Sequence, residues 1–226
     1  MNKIFTLIAV AAMALSAQAQ RISWTEDDAA SAGTLDGKAF ANGDFKLTIT
    51  DTDGKVAIDK NNAYFGTADA NEKFTARLKS GGKSSSKNTL TLTIPTAGTL
   101  KVYARTGSNS ATDRNLVLTQ NEVALYDAVV EESQAVKVKG LDASDPDKET
   151  NVYPIISVAV AAGEVTVTYP VGSMNFYGFE LGGTSTGINT VKATAENGVR
   201  YNLAGQKVAE GYKGVVIMNG KKVVIK

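Results

Sequence analysis

The sequence predicts an all-β protein, an antiparallel β-sandwich followed by a small C-terminal β-hairpin element. Three observations predict this fold class. Apolar and polar residues alternate with a period of two over most of the chain, as in strands that bury one face. Turn-forming residues separate the alternating runs, as between the short strands of a sandwich. No stretch of ten residues or more carries the apolar spacing of an amphipathic helix.

The N-terminal residues 1–19 have the layout of a secretory signal peptide. Lys3 supplies a positive charge, an apolar run follows from Ile4 to Leu15, and Ser16-Ala17-Gln18-Ala19 fits a cleavage site before Gln20. The run is shorter than the roughly 20 apolar residues that a membrane-spanning helix needs. The alternative is a buried or amphipathic first helix. The signal predicts secretion across the inner membrane, to the outer-membrane surface or the extracellular space, with the periplasm possible.

The charge balance argues against a nucleic-acid partner. The chain has 24 basic and 23 acidic residues. Lys3 is the only charge in the predicted signal, so the mature chain would carry 23 of each. Nucleic-acid-binding proteins usually show a basic surplus or stripe, and this sequence has none. It also has no second apolar segment long enough to predict a transmembrane span in the mature chain.

The chain contains neither cysteine nor histidine. Disulfides, thiol nucleophiles, thiolate or imidazole metal sites and Ser-His-Asp triads are therefore excluded. The fold must depend on its apolar core. We expect no cofactor and no metal, and carboxylates, lysine and tyrosine remain as the groups available for catalysis.

Several alternating rows mark the strands of the predicted sandwich, and threonine often occupies the polar positions, as suits a pleated surface. The rows are Phe45/Leu47/Ile49, Leu90/Leu92/Ile94, Leu100/Val102/Ala104, Ile156/Val158/Val160 and Val165/Val167/Tyr169. A further row, Tyr177/Phe179/Leu181, is predicted to lie in the core.

Turns and loops set the predicted domain limits. Asp53-Gly54 predicts a two-residue hairpin between "FKLTITD" and "KVAID". "KSGGKSSSKN" (79–88) and "LDASDPDKET" (141–150) are predicted polar loops. At "LGGTSTGINT" (181–190) small and polar residues replace the strand pattern. The sequence thus predicts a β-sandwich domain over 20–183, followed by a linker and a C-terminal β element over 184–226.

Two stretches of the domain carry a resemblance to a known class of module. "LTLTIPTAGTLKVYARTGSN" and "GEVTVTYPVGSMNFYGFELG" resemble secreted β-sandwich modules of the galactose-binding-like jelly-roll type. Such modules accompany polysaccharide-acting proteins of Gram-negative bacteria. The resemblance implies a jelly-roll sandwich and a carbohydrate ligand, and it assigns no contact residue.

The C-terminal residues predict a small folded β unit. Asn219-Gly220 favours a hairpin in which Met218 faces Lys221, Val216 faces Val223 and Gly214 faces Ile225. "YNLAGQKV" adds a strand, a turn at Ala204-Gly205 and another strand. The stretch from about Gly187 to Lys226 resembles the C-terminal sorting domains of the type IX secretion pathway, in a short form. The resemblance implies an export address across the outer membrane. The alternative is a tail kept as a stabilising β-cap.

Three other kinds of chemistry find little support in the sequence. "DTDGK" (51–55) resembles the start of a calcium loop but lacks the later ligands, and "DASDPDKE" (142–149) also fits an ordinary solvated loop. "GGKSSS" (81–86) has Arg77 where a phosphate-binding loop needs glycine. A glycoside hydrolase needs two carboxyl groups about 5–10 Å apart, and no stretch indicates such a pair.

Candidate binding residues are aromatic and planar polar side chains, which suit sugars. Tyr103 and Arg105 lie two apart on the predicted outward face of one strand. Asn109 and Arg114 lie in or beside the following loop, and Trp24 and Tyr64 are further aromatic candidates. The alternative is that Trp24 fills the core and Arg105 pairs with a surface acid.

The sequence therefore favours a secreted or cell-surface, non-catalytic binding module with a glycan as its ligand. The alternative is a structural or adhesive surface protein that binds another protein. A third hypothesis is a glycan-active enzyme that uses carboxylates. The oligomeric state stays open.

Overall fold

The structure is a computed structural model that describes residues 19–183, 200–202, 207–208, 213–218 and 221–225. Nearly all of the predicted signal peptide, and the predicted linker after residue 183, lie outside these ranges. The chain divides into two compact units, Met1–Ser185 and Thr186–Lys226.

The described part of the first unit consists of fourteen strands and two single-turn 3₁₀ helices, Glu26–Asp28 and Glu132–Gln134. The strands are β1 (Gln20–Ser23), β2 (Ala39–Asn42), β3 (Phe45–Asp51), β4 (Ala57–Gly66), β5 (Asn71–Lys79), β6 (Asn88–Ile94), β7 (Gly98–Thr106), β8 (Asn115–Gln120), β9 (Val123–Val129), β10 (Val136–Val138), β11 (Thr150–Tyr153), β12 (Ile156–Val160), β13 (Gly163–Thr168) and β14 (Met174–Gly183).

These strands form two sheets. One has eight strands in the order β10-β11-β4-β5-β14-β7-β12, with β1 also paired to β14. The other has six strands in the order β2-β3-β6-β13-β8-β9. Every pairing is antiparallel except that between β11 and β4. The all-β antiparallel sandwich predicted from the period-two pattern is confirmed.

The core lies between the two sheets, where the alternating rows meet. Its members include Leu47, Leu92, Val102, Val165 and Phe176, each at most 1% exposed. Burying a side chain of this size stabilises the fold by about 1.5–3 kcal/mol. Because the chain has no cysteine, no disulfide adds to the stability that this packing provides.

A second apolar cluster lies on the outer face of the eight-stranded sheet. Its members are Ala63, Phe65, Phe74, Tyr103, Tyr153 and Tyr177. Tyr103 belongs to it while its neighbours Val102 and Ala104 belong to the inner core. Since successive side chains of a strand point to opposite faces, this cluster must lie on the outside of the sandwich.

A β-bulge divides the row Tyr177/Phe179/Leu181 between the two clusters. The register of β14 against β7 shifts between Phe176 and Gly178. Phe179 and Leu181 lie in the inner core, whereas Tyr177 lies in the outer cluster. All three side chains are buried as predicted, but the extra residue of the bulge places Tyr177 on the opposite face.

The predicted hairpin at Asp53-Gly54 is wrong. Gly54 makes a turn with φ +63°, and its N–H donates to the carbonyl of Asp51 at 2.9 Å. The strands on either side lie in different sheets, because both edges of β3 are already paired, with β2 and with β6. The buried carboxylate of Asp51 accepts the N–H groups of Lys55 and Val56 at 2.7 and 3.0 Å, and so fixes the crossing from one sheet to the other.

The second unit contains a four-stranded sheet in the order β16-β15-β17-β18. Its strands are β15 (Arg200–Asn202), β16 (Lys207–Val208), β17 (Gly214–Met218) and β18 (Lys221–Ile225). The predicted hairpin register is confirmed: Gly214 pairs with Ile225, Val216 with Val223 and Met218 with Lys221. The predicted turns at Ala204-Gly205 and Asn219-Gly220 lie outside the described residues.

Nothing in the described ranges forms a helix with the length and apolar character needed to span a bilayer.

Candidate ligand-binding cleft

A cleft of about 650 Å³ is built on strands of the eight-stranded sheet. Strands β4, β5, β7 and β11 provide one side, and the loop before β11 provides the other. The strand residues that line it are Asn62, Ala63, Tyr64, Lys73, Arg105, Thr150, Asn151 and Tyr153, and the loop contributes 141–144, 148 and 149. Two of the sequence candidates, Tyr64 and Arg105, therefore line one cleft.

The loop is held in place by its attachment to β4. β11 pairs with β4 in parallel, with Val152 opposite Tyr64. The Tyr64 hydroxyl donates to the carbonyl of Leu141 at 2.9 Å. The segment 130–155, which joins β9 to β12, is thus attached to the eight-stranded sheet through β10 and β11. Val130, its first residue, and Ile156, the residue that follows it, line a common pocket of about 340 Å³.

Asp142 organises the loop from within. Its carboxylate accepts hydrogen bonds from the Ser144 N–H at 3.0 Å, from the Ser144 hydroxyl and from Lys148 Nζ at 2.9 Å. The Ser144 and Lys148 hydrogen bonds lower the pKa of Asp142 below its ordinary value. The carboxylate is therefore ionised at neutral pH and serves as an internal acceptor in the loop.

Arg105 is fixed where the outer cluster meets the cleft. Its Nε donates to the Tyr177 hydroxyl at 3.1 Å, and its Nη1 donates to the Tyr153 hydroxyl at 2.9 Å and to Glu132 at 3.3 Å. Burial acts to lower the pKa of Arg105, but Tyr177, Tyr153 and Glu132 outweigh it and the pKa is raised. Arg105 is thus a permanent, oriented cation, and it also makes the pairing with an acid that the alternative interpretation predicts.

Tyr64 is the partly exposed aromatic ring of the cleft, since Tyr153 is only 5% exposed. Lys73 lies opposite Tyr64 in the β4–β5 register, and its Nζ is 5.9 Å from the centre of the Tyr64 ring. The amides of Asn62 and Asn151 complete the polar lining. An aromatic surface beside planar hydrogen-bonding groups can contact both the apolar face and the hydroxyl groups of a sugar.

Tyr103 points outward, as the sequence predicts, but it is covered. It is 2% exposed, and Arg21 lies over its ring with the guanidinium carbon 5.2 Å from the centre. Burial, with the charge of Glu180, raises the pKa of Tyr103 to about 12, so the hydroxyl keeps its proton and donates to Glu180 at 3.2 Å. A covered ring offers no platform for stacking.

The remaining sequence candidates lie elsewhere. Trp24 is 3% exposed in the inner core, with edge contacts to Phe40 and Phe179, as its alternative interpretation predicts. Asn109 is exposed in the loop after β7. Arg114 lies against the chain at Val171, with Nη1 3.4 Å from that carbonyl. Within residues 19–183, none of these three lines the cleft.

Sequence reasoning missed Asn62, Lys73, Asn151 and Tyr153. Asn62 lies where the register of β4 shifts, between Lys60 and Ala63, so simple alternation does not assign its face. Asn151 and Tyr153 belong to the short β11, which pairs in parallel with a strand far away in sequence. The polar run in "DKNNAYF" was the available signal, because asparagine is uncommon in strand interiors.

The carboxyl groups whose pKa is shifted are suited to remain anions and not to act as a catalytic acid. The pKa values of Asp59, Asp142 and Glu180 are all lowered, whereas a glycosidase acid needs a raised pKa. In the described ranges no group of three or more acidic side chains is placed to hold a metal ion.

No protein-family model matches the chain, and no curated protein matches it. One solved structure that aligns with it comes from work on the Ruminococcus flavefaciens cellulosome and an expansion in glycan recognition. The identity is 14% and the TM-score 0.36, over 75% of this chain and 97% of that one. The catalytic unit of a thermostable GH87 α-1,3-glucanase from Streptomyces thermodiastaticus strain HF3-3 aligns with 14% identity and a TM-score of 0.36, over 70% of this chain and 28% of that one. Similarity at this level does not establish a common function.

Proposed function

We propose that this protein is a non-catalytic carbohydrate-binding module, and that its cleft on the eight-stranded sheet holds the glycan. The observation that carries the proposal is the convergence of Tyr64, Arg105, Asn62 and Asn151 on one open cleft. The ring would contact the C–H groups of a sugar, while the guanidinium and the two amides bond its hydroxyl groups.

The shape of the cleft sets the expected affinity. One partly exposed ring in an open cleft supports a binding free energy of about −4 kcal/mol, which is a Kd near 1 mM. Polysaccharides repeat the same unit, so that rebinding along the chain raises the apparent affinity. Retardation in a polysaccharide gel is therefore a more sensitive assay than titration with a monosaccharide.

We also propose export to the cell surface or the extracellular space as the setting for this binding. The predicted signal peptide and the sorting-like C-terminal residues support it. The start of β1 at Gln20, the residue that follows the predicted cleavage site, leaves the sandwich intact after cleavage. The absence of cysteine means that folding there needs no disulfide formation.

The test is native gel electrophoresis of the purified protein in gels that contain a panel of polysaccharides. At least one should slow the wild-type protein, and Tyr64→Ala should weaken that retardation about tenfold, since the ring supplies about 1.4 kcal/mol of contact. Tyr126→Ala is the matched control, because Tyr126 is also a partly buried tyrosine but lies on β9 of the other sheet.

Circular dichroism should show that both variants are folded. If no polysaccharide retards the protein, or if Tyr64→Ala binds as the wild type does, the proposal fails. Capture of one specific surface protein in place of a glycan would support the protein-binding alternative, and release of reducing ends would support the enzyme.

A further inference from the structure

The charges around the cleft are not balanced. Its lining includes three cations, Lys73, Arg105 and Lys148, and two anions, Asp142 and Glu149. Lys148 pairs with Asp142 at 2.9 Å, and Glu149 pairs with Lys137 at 3.2 Å. Both acids that line the cleft therefore already have a lysine partner, and the lining keeps a positive excess.

Lys73 is the source of this excess. Within the described ranges no carboxylate lies within 4.0 Å of its Nζ. Its side chain is exposed, and the ring of Tyr64, 5.9 Å from Nζ to the ring centre, is the neighbour that orients it. An ammonium group held beside the stacking ring, without a counter-charge, is placed to meet an anion on a bound ligand.

We infer that the cleft selects acidic polysaccharides whose sugar units carry carboxylates, such as uronic acids. This inference rests on the proposed function. With a sugar ring on Tyr64, a carboxylate on that sugar or the next one reaches Lys73, while Arg105 and the amides bond the hydroxyl groups. A neutral glycan would make the same stacking contact and leave the Lys73 charge unpaired.

The experiment compares two forms of one polymer, polygalacturonate and its methyl ester, in native gels with a chelator to remove bridging calcium. The backbone is the same in both, and the ester lacks the charge. The wild-type protein should bind polygalacturonate about three- to tenfold more tightly. Raising the salt to about 0.5 M should remove most of this preference, because exposed charges are screened.

Lys73→Gln should abolish the preference for the acid form over the methyl ester. Lys46→Gln is the matched control, since Lys46 is an exposed lysine on β3 of the other sheet, and it should keep the preference. Short oligogalacturonides should compete for the protein better than poly-L-glutamate of equal charge.

Each other outcome has a definite meaning. Equal binding of acid and ester, or an unchanged preference in Lys73→Gln, overturns the inference while the proposed function stands. Equal competition by poly-L-glutamate also overturns it, because the cleft would then bind charge without binding sugar. If neither form of the polymer nor any other glycan binds, the proposed function fails together with the inference.

Discussion

Whether a single side chain in this protein can reach the cleft depends on which other residues cover it. Tyr103 and Arg105 both leave β7 on its outer face, as their spacing predicts. Arg105 lines the cleft, whereas Tyr103 is closed off by Arg21 and the aromatic cluster. Alternation in the sequence gives the face of a side chain. It does not show which other residues will cover that side chain, and here the covering residues lie more than 20 positions away along the chain.

The backbone conformation at the end of β4 depends on Gly66. It has φ +133°, and a Cβ there would lie 2.2 Å from the carbonyl oxygen of Ala70. Gly66→Ala should cost about 1–3 kcal/mol of unfolding free energy, measured by urea denaturation. The same variant should weaken glycan binding, because the turn joins the strands that carry Tyr64 and Lys73.

Gly182→Ala is the control for this substitution. A Cβ at Gly182 would lie 3.8 Å from the Thr99 carbonyl oxygen, an ordinary contact. Its stability should stay within about 0.5 kcal/mol of the wild type. Equal losses in the two variants would contradict the reasoning about Gly66.

Among the elements, β1 is linked to its neighbours by a network of charged side chains. It pairs with β14 over residues 20–23. Its Arg21 donates from Nε to Glu180 at 2.8 Å and also pairs with Glu72. Lys101 of β7 donates to the same Glu180 carboxylate at 2.8 Å. The network joins β1, β14 and β7 and, through Glu72, β5.

This network predicts a pH dependence of stability. Burial acts to raise the pKa of Glu180, but Lys101 and Arg21 outweigh it, and the folded pKa lies below the ordinary 4.5. A carboxyl group with a depressed folded pKa stabilises the fold above its unfolded pKa. That contribution is lost as the pH falls below about 4.5 and through the folded pKa.

The measurement is the difference in Tm between the wild type and Glu180→Gln as a function of pH. The wild type should be the more stable at pH 7, and the difference should shrink below about pH 4. Glu164→Gln, at an exposed position in β13, should match the wild type throughout. A difference for Glu180→Gln that does not change with pH would refute the prediction.

The strands themselves could be predicted, but not all of their partners. The rows at 45–49, 90–94, 100–104, 156–160 and 165–169 all fall within or beside observed strands, because burial of one face imposes the period of two. The pairing of β3 with β2 and β6, and of β11 with β4, depends on contacts between distant segments. Local turn chemistry at Asp53-Gly54 could not reveal that β4 belongs to the other sheet.

For the whole molecule, the inner-core residues that the structure describes run from Ile22 to Leu181. The sandwich should therefore fold without the C-terminal residues. A protein truncated after Ser185 should keep its β-type circular dichroism, a cooperative thermal transition and its polysaccharide retardation.

The same truncation tests the proposed export address. Expressed in a bacterium that has the type IX pathway, the full chain should reach the cell surface and the truncated chain should not. The C-terminal residues would be a stabilising cap, and not an address, if the truncated chain reached the surface equally well but melted at a lower temperature.

The segment 130–155 is built into the sandwich and also forms part of the cleft. Its strands β10 and β11 belong to the eight-stranded sheet, and residues of its loop line the cleft. Tyr64, Lys73 and Arg105, to which the proposals assign the ligand contacts, lie on β4, β5 and β7 instead. An engineer who replaced the loop between β10 and β11 would therefore reshape the cleft and leave these three side chains in place.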